Sequence, residues 1–177
     1  LKEGENILLV QTDNTLNESS VPTQKTDWWP WGGIVGDVYV VETPKQFIQN
    51  AYLQLNPDDF SEVLFKLKMN KESSGHIIKL EIPELQFMAE YKTNSFGAIS
   101  ENIKINPQLW SPLSPKLYEV MISSNAETIS DKIGFRSIKT KGQKIYLNNR
   151  EIQFKGIAMH SEPIGIPGPA FSKVHFQ

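Results

Sequence analysis

Ser61-Glu62-Val63-Leu64-Phe65-Lys66-Leu67-Lys68-Met69-Asn70 decides the fold. Val63, Phe65, Leu67 and Met69 fall on every second position, with Glu62, Lys66 and Lys68 between them. Successive side chains of a strand point to opposite faces, so this spacing makes one apolar and one charged face. On a helix the same four apolar residues would not gather into a stripe. The stretch therefore predicts a strand with one face buried and one in water, as in an antiparallel sheet.

The same period recurs on both sides. Residues 76–82 place Ile78, Leu80 and Ile82 together against Lys79 and Glu81. Residues 98–105 place Ile99, Ile103 and Ile105 against Ser100, Asn102 and Lys104. Residues 117–123 and 133–138 are further strand candidates, and no long stretch has helical spacing. Proline and glycine number 11 each. Turn-forming clusters recur about every dozen residues, as sandwiches require.

Three zones follow. Residues 1–43 carry two expected strands, 6–12 and 36–42, joined by a polar loop that ends in Trp28, Trp29 and Trp31. Residues 44–136 carry about seven short strands, the number and length of an immunoglobulin-like β-sandwich. Residues 137–177 carry an expected hairpin, in which residues 145–147 and 151–154 flank Asn148-Asn149, then an apolar strand and a loop. Asparagine tolerates the positive φ of a tight hairpin turn. Two strands alone are marginal in water, so each flanking zone needs a partner. Leu1 is not an initiator, and no cap or turn closes the chain before Gln177. The expectation is an internal piece of a longer chain.

Charge and composition exclude several classes. There are 18 basic and 20 acidic residues, without a basic stripe, so the footprint of a nucleic-acid binder is missing. There is no cysteine, which removes disulfides and thiolate metal sites. No apolar run reaches the roughly 20 residues of a membrane-spanning helix.

Four stretches, in this order, resemble the glycoside hydrolase family that contains β-galactosidase, β-glucuronidase and β-mannosidase, glycoside hydrolase family 2. Asp27-Trp28-Trp29-Pro30-Trp31-Gly32-Gly33-Ile34 with Asp37-Val38-Tyr39-Val40 is similar to the end of its jelly-roll sugar-binding domain, though Gly36 stands where the family usually has arginine. Trp110-Ser111-Pro112 with Pro115, Leu117 and Tyr118 is similar to a motif of its central sandwich. Ile133-Gly134-Phe135-Arg136 resembles its Gly-Phe-Arg at the exit from that sandwich. Leu147-Asn148-Asn149 through Lys155-Gly156-Ile157-Ala158-Met159-His160 resembles the opening hairpin and first strand of its (β/α)8 barrel.

The resemblance implies an all-β chain: residues 1–43 end a jelly roll, residues 44–136 form the sandwich and residues 137–177 start a truncated catalytic barrel. It implies a retaining β-glycosidase that hydrolyses terminal β-glycosidic bonds through two glutamates. Such barrels place their chemistry at the ends of later strands, so both glutamates are expected beyond this chain. Glu72, Glu81, Glu84, Glu90, Glu119 and Glu151 match neither motif and read as solvated carboxylates. His160, at the end of the expected first barrel strand, occupies the place of a histidine that lines the sugar pocket in the family. Glu162 is a weaker candidate for the pocket rim. One histidine and one carboxylate fall short of a zinc site, His76 and His175 are isolated, and no metal or cofactor is implied. Trp28, Trp29 and Trp31 could stack on sugar rings, but their match is to a structural turn, which favours packing between domains. Trp110 is expected in the sandwich core or at its boundary, and Arg136 at the sandwich–barrel junction.

The expected partner of the parent enzyme is a β-linked oligosaccharide or glycoside, with neither nucleic acid nor a membrane span, and a homo-oligomer is compatible. Family habit suggests a periplasmic or secreted location. The competing readings are a stand-alone carbohydrate-binding sandwich and a protein-interaction sandwich.

Overall fold

The computed structural model describes residues 3–20, 32–34, 36–72 and 74–158. The chain divides into two compact units, Val41–Phe154 and a second one made of Leu1–Val40 with Lys155–Gln177.

The Val41–Phe154 unit holds ten strands: β1 (Ile48–Leu55), β2 (Glu62–Met69), β3 (Ile77–Ile82), β4 (Phe87–Lys92), β5 (Ala98–Lys104), β6 (Tyr118–Ser123), β7 (Thr128–Ile133), β8 (Ile138–Lys141), β9 (Lys144–Leu147) and β10 (Arg150–Ile152). One 3-10 turn, Pro83–Leu85, links β3 to β4. All pairings are antiparallel. The first seven strands form two sheets, ordered β1-β2-β5 and β4-β3-β6-β7, and the last three form a small sheet, β10-β9-β8. This is the immunoglobulin-like sandwich expected from the strand pattern. β4 pairs with β3, so the fourth strand lies in the four-stranded sheet, unlike the constant-type order in which it joins the first, second and fifth.

Its core follows from the alternation. Val63 and Phe65 of β2 and Ile78, Leu80 and Ile82 of β3 are completely buried, and Leu67, Met69, Ile99, Ile103, Val120 and Ile122 nearly so. Val63, Phe65 and Leu67 pair with Ile103, Glu101 and Ile99 across the β2–β5 register. Phe65 reaches the opposite sheet, its ring centroid 5.4 Å from that of Tyr91. Tyr118 opens β6 and accepts a hydrogen bond on its hydroxyl from the Gln108 N–H at 2.9 Å, an arrangement comparable to the tyrosine corner of immunoglobulin sandwiches.

Three sequence expectations need correction. Segments 6–12 and 36–42 belong to no strand. Both are apolar, but a strand exists by its ladder, and these segments have none; Ile7, Leu8, Leu9, Val38, Tyr39 and Val40 are exposed. Residues 133–138 are not one strand either. Ile133 ends β7, Ile138 begins β8, and the Phe135 carbonyl between them accepts from the Trp110 N–H at 2.8 Å rather than from a sheet neighbour. The hairpin is found where expected, but it is shorter on its second side and gains β8 as a third strand. Asn148 and Asn149 form its turn with φ of +50° and +64°, the primed geometry that asparagine permits.

Candidate functional site

Three of the four motif stretches meet in the Val41–Phe154 unit. They lie far apart in the sequence, and the sheet topology brings them to one end of the sandwich, where β7 leaves for β8. Trp110 approaches from the loop after β5, Gly134-Phe135-Arg136 from the exit of β7, and Asn148 from the β9–β10 turn.

Gly134 is there because of Trp110. A Cβ added at Gly134 would lie 2.8 Å from Trp110 Cδ1 and 3.0 Å from its Cβ and Cγ, closer than real contacts allow. Arg136 covers the other part of the tryptophan, with Cζ 5.3 Å from the ring centroid, and Nη1 donates to the Gly134 carbonyl at 3.1 Å. A guanidinium over an indole face gains from the ring quadrupole, and the planar fork suits stacking. Phe135 points the other way and is buried, its ring 5.7 Å from Tyr118.

Asn148 ties the hairpin to this cluster. Its Nδ2 donates to the Trp110 carbonyl at 3.0 Å, and its Oδ1 accepts from the Ser137 N–H at 3.0 Å. Its backbone N–H donates to the Ser137 carbonyl at 2.9 Å. From sequence, Asn148 was legible only as a turn former. Its bonds to Trp110 and Ser137 are set by tertiary approach, which no spacing rule reports. Beside the cluster, Leu109, Pro112, Leu113, Leu147, Arg150 and Ile152 line a groove of about 540 Å³.

The remaining candidates sort plainly. His160 and Glu162 lie outside the described residues, as do Trp28, Trp29, Trp31 and His175. Glu81 pairs with Lys79 at 2.8 Å, Glu151 with Lys144 at 2.7 Å and Glu84 with Lys116. Glu72, Glu90 and Glu119 are exposed. Among the described residues no three histidine, aspartate or glutamate side chains gather to hold a metal ion, and no helix is long and apolar enough to cross a membrane. Asp59 is the best-anchored acid. The Ser61 hydroxyl at 2.6 Å, Lys104 at 3.0 Å and the Ser61 N–H at 2.9 Å hold its carboxyl down to about 2. These partners make a surface ion-pair network.

The model of the family described as "Glycosyl hydrolases family 2" matches residues 46–136. A β-galactosidase of Clostridium acetobutylicum is 30% identical over 178 residues, covering 90% of this chain and 19% of the relative. One of Streptococcus thermophilus is 29% identical over 175 residues, with coverages of 90% and 17%. The solved β-glucuronidase of Parabacteroides merdae is similar in fold, with a TM-score of 0.61 at 20% identity over 85% of this chain and 21% of that one. The chain spans between 15% and 23% of the length of these and similar curated relatives.

Proposed function

The chain belongs to glycosyl hydrolases family 2, and from that premise we propose that it is the linking part of a retaining β-glycosidase. In this reading residues 1–43 close a jelly-roll sugar-binding domain, residues 44–136 are the sandwich, and residues 137–177 open the catalytic (β/α)8 barrel. The sandwich holds the other two domains in register. The observation that carries the reading is the meeting of Trp110, Gly134-Phe135-Arg136 and Asn148 at one end of the sandwich, where the chain passes on toward the proposed barrel.

The chemistry then belongs to the longer protein. Two glutamates about 5–5.5 Å apart act as nucleophile and general acid/base, and water releases the glycosyl-enzyme with retention. His160 contributes one wall of the sugar pocket by donating a hydrogen bond to a hydroxyl of the sugar being cleaved, and Glu162 lies at the rim. The substrate class is a terminal β-glycoside.

The test begins with the coding sequence beyond Gln177. It is expected to continue into a barrel with an Asn-Glu pair on a later strand and a second glutamate further on. A stop codon directly after Gln177 would count against an active parent. The full-length protein is then assayed on aryl β-galactoside, β-glucuronide and β-mannoside, with the present chain alone as the inactive control. His160→Ala in the full-length protein is expected to raise KM and lower kcat on whichever substrate is cleaved. Tryptophan fluorescence of the present chain under sugar titration tests a stand-alone carbohydrate-binding module; no change at millimolar sugar excludes it.

A further inference from the structure

Each central residue of this two-residue hairpin turn has positive φ, and for that alone glycine would serve at position 148 as well as asparagine. Asn148 meets that need with φ +50°, and its side chain does a second thing. Its two ends face opposite demands. The Trp110 carbonyl can only accept, so it takes the Nδ2 donor; the Ser137 N–H can only donate, so it takes Oδ1. The Asn148 N–H adds a third bond, to the Ser137 carbonyl. Ser137 is 3% exposed, so its N–H has little access to water, and leaving it unpaired costs more than an ordinary hydrogen bond returns. Among the described residues, these three are the hydrogen bonds that tie the β9–β10 turn to the chain before β8: one to Trp110 in the sandwich, and two to Ser137, which lies between Arg136 and β8.

We propose that Asn148 is a positioning residue whose carboxamide locks the β9–β10 hairpin onto the end of the sandwich, and so fixes the course of the chain that follows β10. The lock itself stands on the geometry; that it serves catalysis rests on the function proposed above. Glycine at this position would keep the turn and lose the lock. An ionised aspartate would keep the acceptor for Ser137 but turn an acceptor toward the Trp110 carbonyl. A protonated aspartate would restore the donor. The identity of the carboxamide, not its size alone, is therefore testable.

Amide exchange in the present chain reads the lock directly. Asn148→Gly is expected to reduce the protection factor of the Ser137 N–H about tenfold or more, while the Phe65 and Leu80 amides of the core keep theirs. Asn148→Asp keeps the acceptor and is expected to keep most of the Ser137 protection, but to lower the thermal midpoint relative to wild type at pH 7, where the donor to Trp110 is lost, and to regain most of it near pH 4, around the ordinary range of an aspartate. Unchanged protection at Ser137 in the glycine variant, or an equal loss of midpoint relative to wild type in the aspartate variant at both pH values, overturns the proposal. In the full-length protein, the ratio of variant to wild-type kcat for Asn148→Asp is expected to fall at neutral pH and recover on acidification. A lock seen by exchange with kcat unchanged at every pH overturns the positioning role. A full-length protein that cleaves no β-glycoside overturns the proposed function instead, and leaves the exchange result standing.

Discussion

Gly134→Ala tests the junction most directly. The added methyl meets Trp110 Cδ1 at 2.8 Å and its Cβ and Cγ at 3.0 Å, so something must move. The tryptophan cannot swing away cheaply. Arg136 lies over its ring, and its backbone is held by bonds to the Phe135 carbonyl and to Asn148. Overpacking of this kind costs about 1–3 kcal/mol. Taking about 2 kcal/mol, and about 4 °C per kcal/mol for a chain of this length, the midpoint should fall by roughly 8 °C. Differential scanning calorimetry of the two proteins at equal concentration reads the change. The cause is checked by a double-mutant cycle with Trp110→Leu, which removes the atoms the methyl strikes. In that background Gly134→Ala should cost at least about 1 kcal/mol less than it does alone. A midpoint within about 2 °C of wild type, or strictly additive costs, would refute the claim that glycine is required by the indole.

Three shorter predictions follow from other parts of the unit. The Ser137 hydroxyl is buried without a hydrogen-bond partner, so Ser137→Ala should leave stability unchanged or raise it by up to about 1 kcal/mol, since a buried polar group without a bond costs free energy; a lower urea midpoint would contradict this. Asp59, held to about 2 chiefly by the Ser61 hydroxyl and next by Lys104, stabilises the fold above its ordinary value of 3.8, and that contribution is lost as pH falls toward 2. Asp59→Asn should therefore flatten the dependence of stability on pH between about 4 and 2, and an identical slope in both proteins would show that the network does not act. Burial first, and the Glu101 charge second, raise the Tyr91 phenol above its ordinary value of 10.0. Glu101→Gln should lower that pKa without returning it to the ordinary value, as followed by phenolate absorbance, and a full return would assign the shift to charge alone.

The sandwich was legible where burial falls on one face. β2, β3 and β5 announce themselves by alternation, because each has a partner sheet on one side and water on the other. β7, Thr-Ile-Ser-Asp-Lys-Ile, does not. It is an edge strand with five of its six residues exposed, and only its register with β6 makes it a strand. The opposite error occurred at residues 6–12, where an apolar run reads as a strand but no ladder receives it. Sequence reports which residues would gain from burial; it does not report whether a neighbour is present to bury them. The link 133–138 failed for a related reason. Its backbone bonds are drawn to Trp110, far away in the sequence, and to Asn148 at the end of β9, and not to a strand of the two sandwich sheets.

The same dependence on distant partners explains the identities of the residues that meet where β7 leaves for β8. The core between the sheets is built mostly from aliphatic side chains, with Met69, Phe65, Tyr118 and Phe135, and such cores accept many apolar sets of similar volume. The junction does not have that freedom. Gly134 is required by the indole of Trp110, and the indole is covered by Arg136. The Trp110 carbonyl and the Ser137 N–H together require a carboxamide, and the turn that presents it requires a residue tolerant of positive φ. Each identity is set by another in the cluster, so a single replacement leaves a clash or an unpaired group rather than a slightly different packing. Short motifs that are individually common thus become specific as a set. Under the proposed function, a sugar pocket built further along with His160 in one wall would depend on the course this cluster gives the chain, to within the fraction of an ångström that catalytic groups require.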